Sequence, residues 1–307
     1  MRLPPEPPFA ILDGALATEL ERRGADINHP LWSAKLLYEN PALIRQVHLA
    51  YLDAGADIIT TATYQASLQG FLNQGFSQSE ALSLMRSSTL LALEARTQWL
   101  ETHPEADDTP PWVAISMGTF GASLADGSEY HGRFGVSFQV IREYHLQKLE
   151  ILLSAGGDML LLETIPCLLE IEAIVDILPN VPDLPVAVSM TCADAQHLRS
   201  GEPVAEAIHL LNASPHVDVL SFNCTHPRYI EGLLQLARNC TDKILMAYPN
   251  SGEGWDPIGK RWIDTPARKR IVHYAPLWLK AGASIIGGCC RTTPEDIAAL
   301  AQLRRNL

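Results

Sequence analysis

The chain lacks any long uncharged apolar run: nowhere do 18 such residues follow one another, so no helical membrane span is expected. Its opening stretch, MRLPPEPPFA, holds charge and four prolines but no apolar core of the kind a secretory leader needs. A cytoplasmic protein is the expectation. Clustered Lys and Arg are also missing, and the formal charge is −12. A nucleic-acid partner is therefore not expected, because phosphate contacts need such clusters. The acidic balance suits a cationic substrate better than an anionic one. Neither GxGxxG nor GxxxxGKS/T occurs, which removes the usual signature of a nucleotide site. The ten histidines form no HxH or HExxH pattern, arguing against a histidine-bound zinc hydrolase.

What is present is a chain of 307 residues, 47% hydrophobic, long enough for one large core. One domain over residues 1–307 is the expectation. Eight short apolar runs recur along it: FAILDGA, DIITTATY, WVAISMG, DMLLLETI, PVAVSMTC, VDVLSFNC, KILMAYPN and ASIIGGCC. Near-continuous apolar strands are what a parallel sheet covered on both faces requires. The segments between them have helical periodicity, as in NPALIRQVHLAYLDAGA, where Leu43, Val47, Ala50 and Tyr51 recur on one face. Several helices end in a shared tail, AGAD at 54–57, AGGD at 155–158 and AGAS at 281–284. Each tail puts glycine where a helix C-cap needs a left-handed residue. Eight such units predict a single (β/α)8 TIM barrel of the α/β class, with an open doubly wound sheet as the competing arrangement.

Polar residues fall at the C-terminal ends of the runs: Asp13, Tyr64, Glu163, Thr191, Cys224, Asn250, Cys289 and Cys290. That end of a barrel is where active sites are built. Of the six cysteines, Cys167 and Cys240 read as ordinary small hydrophobes, and without a leader the thiols are expected to stay reduced. Cys224 ends the sixth run and the adjacent Cys289 and Cys290 end the eighth. Strands six and eight lie within reach across a barrel rim, so three thiolates can share one ion. Three sulfur ligands select Zn2+ and leave a fourth position open for an exchangeable ligand. On spacing alone the alternative stands beside it, a buried strand cysteine and a vicinal pair without function.

The stretches FNCTHPRYI (222–230) and GGCCRTTPEDI (287–297) are similar to the hallmarks of the homocysteine S-methyltransferase family. LDGALATEL (12–20), LWSAK (31–35), TATYQAS (61–67), ETIP (163–166) and YPNSGE (248–253) extend the resemblance over essentially the whole chain. GGCCRTTP and YPNSGE resemble the branch using S-methylmethionine or S-adenosylmethionine rather than betaine or cobalamin. The resemblance implies that zinc on Cys224, Cys289 and Cys290 binds the homocysteine sulfur, and that a direct methyl transfer yields methionine. It implies too that Asp13, Gly14 and Glu163 hold the amino acid's ammonium group and backbone. From the residues alone, Asp13 reads equally as a helix N-cap and Glu163 as a solvated rim carboxylate. Other acceptors, such as selenocysteine, other donors, such as betaine, and a non-catalytic zinc or homocysteine binding module are the alternatives.

A sulfonium donor gains from an aromatic face, and Trp32, Tyr64, Tyr248 and Trp255 are the candidates, each set against ordinary packing. The resemblance also lets Tyr64 approach the metal when substrate is absent. The stretch 248–262 reads as a lid-like loop. His226, two residues after Cys224, reads as a loop histidine because three cysteines and a substrate fill a tetrahedral site. Arg291 either lines the rim or caps a neighbouring carbonyl. With 17 residues following Cys290, a long C-terminal extension of the betaine-using kind is not expected, and a monomer or weak dimer is.

Overall fold

The eight runs become eight parallel strands in the computed structural model, which describes residues 8–256, 261–263 and 269–307. They are β1 (Ala10–Ile11), β2 (Ile58–Thr60), β3 (Trp112–Gly118), β4 (Met159–Ile165), β5 (Val186–Met190), β6 (Val219–Asn223), β7 (Ile244–Tyr248) and, last in the chain, β10 (Ala283–Ile286). Between β7 and β10 an antiparallel pair intervenes, β8 (Gly254–Asp256) with β9 (Arg261–Ile263). The expected loop at 248–262 thus contains a hairpin. Trp255 and Trp262 occupy opposed positions in its register, a cross-strand relation that a search for apolar runs does not detect.

Neighbouring strands run in the order β1, β10, β7, β6, β5, β4, β3, β2. A parallel bridge from Leu12 to Ile58 joins the two ends, and Asp13 N donates to Ile58 O at 2.9 Å. The sheet is therefore a barrel, and the open doubly wound arrangement is excluded.

The glycine tails do what their sequence suggests. Gly55, Gly156 and Gly282 have φ of +96°, +89° and +103°, a region that costs glycine nothing. The aspartates that close two of these tails have a second task. Asp57 Oδ2 accepts from Ile11 N at 2.7 Å and Asp158 Oδ2 from Val113 N at 2.8 Å. Asp218, just before β6, likewise accepts from Val186 N at 2.9 Å. Each aspartate pins the start of the preceding strand to the strand it introduces.

Side-chain alternation along the strands decides what faces the barrel axis. Ala10, Leu12, Ile58, Ala114, Met159, Leu161, Ala187, Val219, Met246 and Ile285 pack together inside. The alternate residues Val113, Ile115, Leu160, Leu162, Val188, Leu220, Phe222 and Leu245 pack outward against the helices. Burying each large aliphatic side chain contributes about 1.5–3 kcal/mol. Two residues further along the inward set, the chemistry turns polar, at Ser116, Glu163, Ser189 and Ser221, with Asn223 two beyond Ser221, all buried. The apolar layer closes the bottom of the barrel and the polar layer opens its top.

The helical coat comprises α1 (Leu16–Arg22), α2 (Leu36–Glu39), α3 (Pro41–Asp53), α4 (Leu68–Asn73), α5 (Gln78–Leu100), α6 (Phe120–Leu124), α7 (Phe138–Leu153), α8 (Leu168–Ile177), α9 (Val204–Ala213), α10 (Pro227–Arg238), α11 (Ala275–Lys280) and α12 (Pro294–Arg305). On α3 the buried stripe is Ile44, Val47, His48, Tyr51 and Leu52. Leu43 and Ala50, expected on that face, are only half-buried. The apolar template passed over His48, which lies fully inside with neither ring nitrogen hydrogen-bonded.

Candidate metal centre and its surroundings

Cys224 follows β6 directly, and Cys289 and Cys290 follow β10 after two glycines. Gly287 and Gly288 are required by close approach. A Cβ on Gly287 would lie 2.8 Å from Leu12 O, and one on Gly288 would collide with Thr292 Oγ1. Bare backbone lets Gly288 N donate to Asp13 O at 3.0 Å and turns the cysteine pair towards Cys224. Helix α12 then starts with a capping box of Thr293 and Asp296 and with Pro294 in its first turn, which ends the cysteine loop sharply.

Cys224 Sγ lies 3.1 Å from Cys289 Sγ and 3.7 Å from Cys290 Sγ. All three sulfurs fall within 4.8 Å of one another. Tetrahedral ligation at a Zn–S bond of about 2.3 Å puts sulfurs about 3.8 Å apart, so the spacing fits one ion. Among the described residues this is the one cluster of three ligating groups of this kind. Hydrogen bonds from the Cys224 and Cys290 thiols hold the Cys289 thiol well below its ordinary range, so the group accommodates thiolate charge even without metal.

The loop after β7 braces both cysteine segments. Cys289 N donates to Pro249 O at 2.8 Å, Ser251 N to Cys290 O at 3.0 Å and Asn250 N to Thr225 O at 3.1 Å. Glu253, buried at the end of this loop, pairs with Arg291 at 2.6 Å. Arg291 therefore does its work as an ion-pair partner rather than as a carbonyl cap. The backbone here is strained: Trp32, Thr164, Cys224 and Arg291 have φ of 48°, 65°, 47° and 66° without being glycine. Left-handed backbone at such residues costs about 1–3 kcal/mol each and persists where surrounding contacts enforce it.

Two carboxylates reach the same space. Asp13 is buried at the end of β1, where Oδ2 accepts from Thr60 N at 2.8 Å and Oδ1 from Thr60 Oγ1 at 3.1 Å. It caps no helix, since the N-cap of α1 is Ala15. Burial pushes its carboxyl well above the usual range, outweighing the bonds from Thr60. Glu163 is buried rather than solvated; Ser116 Oγ donates to one oxygen and Tyr248 OH to the other at 3.1 Å. Burial raises its carboxyl to about 7, and these two donors together with Lys148 oppose the rise. Gly14 follows Asp13, and a Cβ there would lie 2.9 Å from the Tyr51 ring and 3.0 Å from Thr292 Oγ1.

Of the aromatic candidates, Trp32 and Tyr64 stand edge to face with centroids 6.0 Å apart. Burial and the nearby Cys224 push the Tyr64 phenol up. Tyr248 is 3% exposed and engaged with Glu163. The side chain of Trp255 lies outside the described residues. His226 Nδ1 accepts from Arg228 N at 3.2 Å and caps α10; Thr191 Oγ1 donates to Cys224 O at 3.2 Å.

Three supporting residues were not among the site candidates, although Asn223 stands in the hallmark FNCTHPRYI. Asn223 Oδ1 accepts from Thr164 N at 3.0 Å, and its Nδ2 donates to Thr164 Oγ1 at 2.8 Å and reaches Cys289 Sγ at 3.9 Å. Its signal was its place before Cys224 at the end of an inward-facing set. Arg199 donates to Cys224 O at 3.1 Å. Lys148, 2% exposed, donates to Tyr64 O at 2.8 Å; burial lowers its amine to about 7. No local pattern marks these last two, because their partners are distant in sequence.

The family profile described as homocysteine S-methyltransferase matches residues 10–304. Among curated relatives, the selenocysteine Se-methyltransferase of Brassica oleracea var. italica is 43% identical over 303 residues, 95% of this chain and 88% of the relative. The homocysteine S-methyltransferase YbgG of Bacillus subtilis (strain 168) is 41% identical over 301 residues, covering 98% and 96%. The crystal structure of the homocysteine methyltransferase MmuM from Escherichia coli in its metallated form superposes with a TM-score of 0.86 at 41% identity, covering 96% of each chain. The apo form of that protein gives 0.77.

Proposed function

The chain belongs to the homocysteine S-methyltransferase family, and on that premise we propose that it moves a methyl group from S-methylmethionine or S-adenosylmethionine to L-homocysteine, giving methionine, with Zn2+ held by Cys224, Cys289 and Cys290. The observation that carries this reading is the three-sulfur group beside two buried carboxylates. Zinc bound there would stabilise the acceptor thiol as a thiolate, since a free thiol near pKa 8.5 is mostly protonated at neutral pH.

The chain's own residues do the positioning. Asp13 and Glu163 receive the acceptor's ammonium group, with Glu163 oriented by Ser116 and Tyr248, and the backbone of Gly14, next to Asp13, meets the substrate backbone. Trp32 and Tyr64 offer aromatic faces to the sulfonium, an interaction of about 0.5–2 kcal/mol. In the transfer, the acceptor sulfur forms its bond to the methyl carbon while the donor's C–S bond breaks and leaves its electron pair on a neutral thioether. Opposite charges cancel, so a site that excludes water favours the transition state over the separated, hydrated ions. Holding the reacting atoms at attack distance supplies much of the remaining acceleration. In this reading the chain is a homocysteine-binding barrel acting as a monomer or weak dimer on small-molecule substrates. Six cysteines without a disulfide suit a cytoplasmic setting.

The test is methionine formation from homocysteine with each sulfonium donor, before and after chelation and zinc repletion, with Cys290→Ala alongside. Activity should vanish with the metal and with the cysteine; zinc-loaded protein inactive with both donors would overturn the reading. A second reading, selenocysteine as acceptor, is favoured by the Brassica relative's name. Comparing kcat/KM for the two acceptors decides between them.

A further inference from the structure

The acceptor side of the site is accounted for by Asp13 and Glu163, but the reaction proposed above brings in cationic groups of the donor that these two do not meet. The acceptor carries one ammonium, and the amino-acid donor carries an ammonium and a sulfonium. A third carboxylate stands at the rim. Glu129 lies in the short helical turn Ser128–Tyr130, within the segment that links β3 to α7.

That segment is held firmly. Thr119 Oγ1 and Phe120 N donate to Glu170 at 2.6 and 2.5 Å, and His145 bonds the same buried carboxylate at 2.7 Å. Asp126 Oδ1 accepts from Ser128 N at 2.9 Å at the start of the turn. A Cβ on Gly121 would lie 2.6 Å from Glu129 N, and one on Gly132 would lie 3.2 Å from Pro166 O. The turn is thus wedged between α6 and the loop that leaves β4 just past Glu163.

Glu129 Oε2 is buried and accepts no hydrogen bond, whereas both oxygens of Asp13 and of Glu163 are engaged. A buried carboxylate oxygen without a donor is a costly state that a bound cation relieves. The next residue, Tyr130, senses the same surroundings. Its phenol is pushed up by burial and by the nearby Cys290, Cys224 and Glu129, and Tyr64 is affected by Cys224 and Glu129 alike. Glu129 therefore lies within electrostatic reach of the two phenols that also sense Cys224.

We propose that Glu129 is the carboxylate that binds a cationic group of the methyl donor, opposite the acceptor carboxylates, with Tyr130 beside it facing the cysteines. This rests on the methyl-transfer reading given above. The cation is either the donor's ammonium or its sulfonium, and two donors separate these.

The experiment uses the full, zinc-loaded chain with Glu129→Gln, and with Glu129→Asp as a charge-retaining variant should the first fail to fold. Steady-state constants are measured for each substrate at saturation of the other, and S-methylmethionine binding without homocysteine is followed by calorimetry. Donor KM and Kd should rise about 10–100-fold in Glu129→Gln and less in Glu129→Asp, while the homocysteine KM stays within about twofold. A sulfonium donor lacking the α-ammonium should keep the penalty if Glu129 faces the sulfonium and lose it if Glu129 faces the ammonium. Unchanged donor constants in an active variant, or an equal rise for homocysteine, overturns the proposal. Failure of the methyl-transfer reading shows differently, as wild-type protein that forms no methionine.

Discussion

At the scale of single residues, the site is built from groups held in states they would not choose alone. Glu163 sits at about 7 because burial disfavours its charge, and Ser116 and Tyr248 offset part of that cost. Its linkage to stability follows from the sign of the shift: the folded protein binds this proton more tightly than the unfolded chain. Stability from Glu163 is therefore present below 4.5 and lost as pH rises through about 7. Substrate binding runs the other way, because only the carboxylate holds an ammonium. The homocysteine KM is expected to fall as pH rises through 7. Glu163→Gln should raise it roughly 10–100-fold and flatten that limb; a pH profile of KM unchanged by the substitution would remove Glu163 from the acceptor site. Cys224, Cys289, Cys290, Asp13 and Glu163 were legible in the sequence because each ends a strand. Lys148 was not, since what marks it is a partner, Tyr64, brought near only by folding.

At the scale of elements, the helix tails and strand starts are local, and the sequence announced them. The aspartates of AGAD and AGGD add a device visible only in the barrel, where each pins a neighbouring strand. Helix α3 is instructive for the opposite reason. Its buried face carries His48, which burial holds down at about 4. The folded state thus excludes a proton that the unfolded chain binds near 6.5. The stability this histidine leaves intact above pH 6.5 is lost progressively as pH falls towards 4, by on the order of 3 kcal/mol in all. His48→Leu removes both the titration and two unsatisfied ring nitrogens. The variant should match wild type within about 1 kcal/mol at pH 7 and exceed it by about 2 kcal/mol at pH 5, measured by denaturant unfolding. Equal pH dependence in the two proteins would show that His48 is not the group responsible.

At the scale of the whole molecule, closure of the barrel joins the two ends of the chain. Arg304, near the end of α12, reaches Phe9 O at 3.4 Å and pairs with Asp57, which itself holds Ile11 N. This latch lies at the bottom of the barrel, opposite the cysteines. Arg304→Ala should lower unfolding stability by about 1–3 kcal/mol, between the values for exposed and fully buried pairs, and leave both substrate KM values unchanged. A large KM change without loss of stability would mean that the two ends of the barrel are coupled in some other way.

The eight barrel strands, the helix tails and the cysteines at strand ends were legible in the sequence, because each depends on local periodicity or on residue types at strand ends; closure of the barrel and the β8–β9 hairpin were not. Tertiary structure alone decided that Tyr248 serves Glu163, that Arg291 pairs with Glu253, that His48 is inside and that an oxygen of Glu129 is buried without a donor. These relations join segments tens to hundreds of residues apart, and no local pattern encodes them. The physical reason is that a loop's conformation is set by the long-range hydrogen bonds and close contacts that it finds only once the barrel has closed.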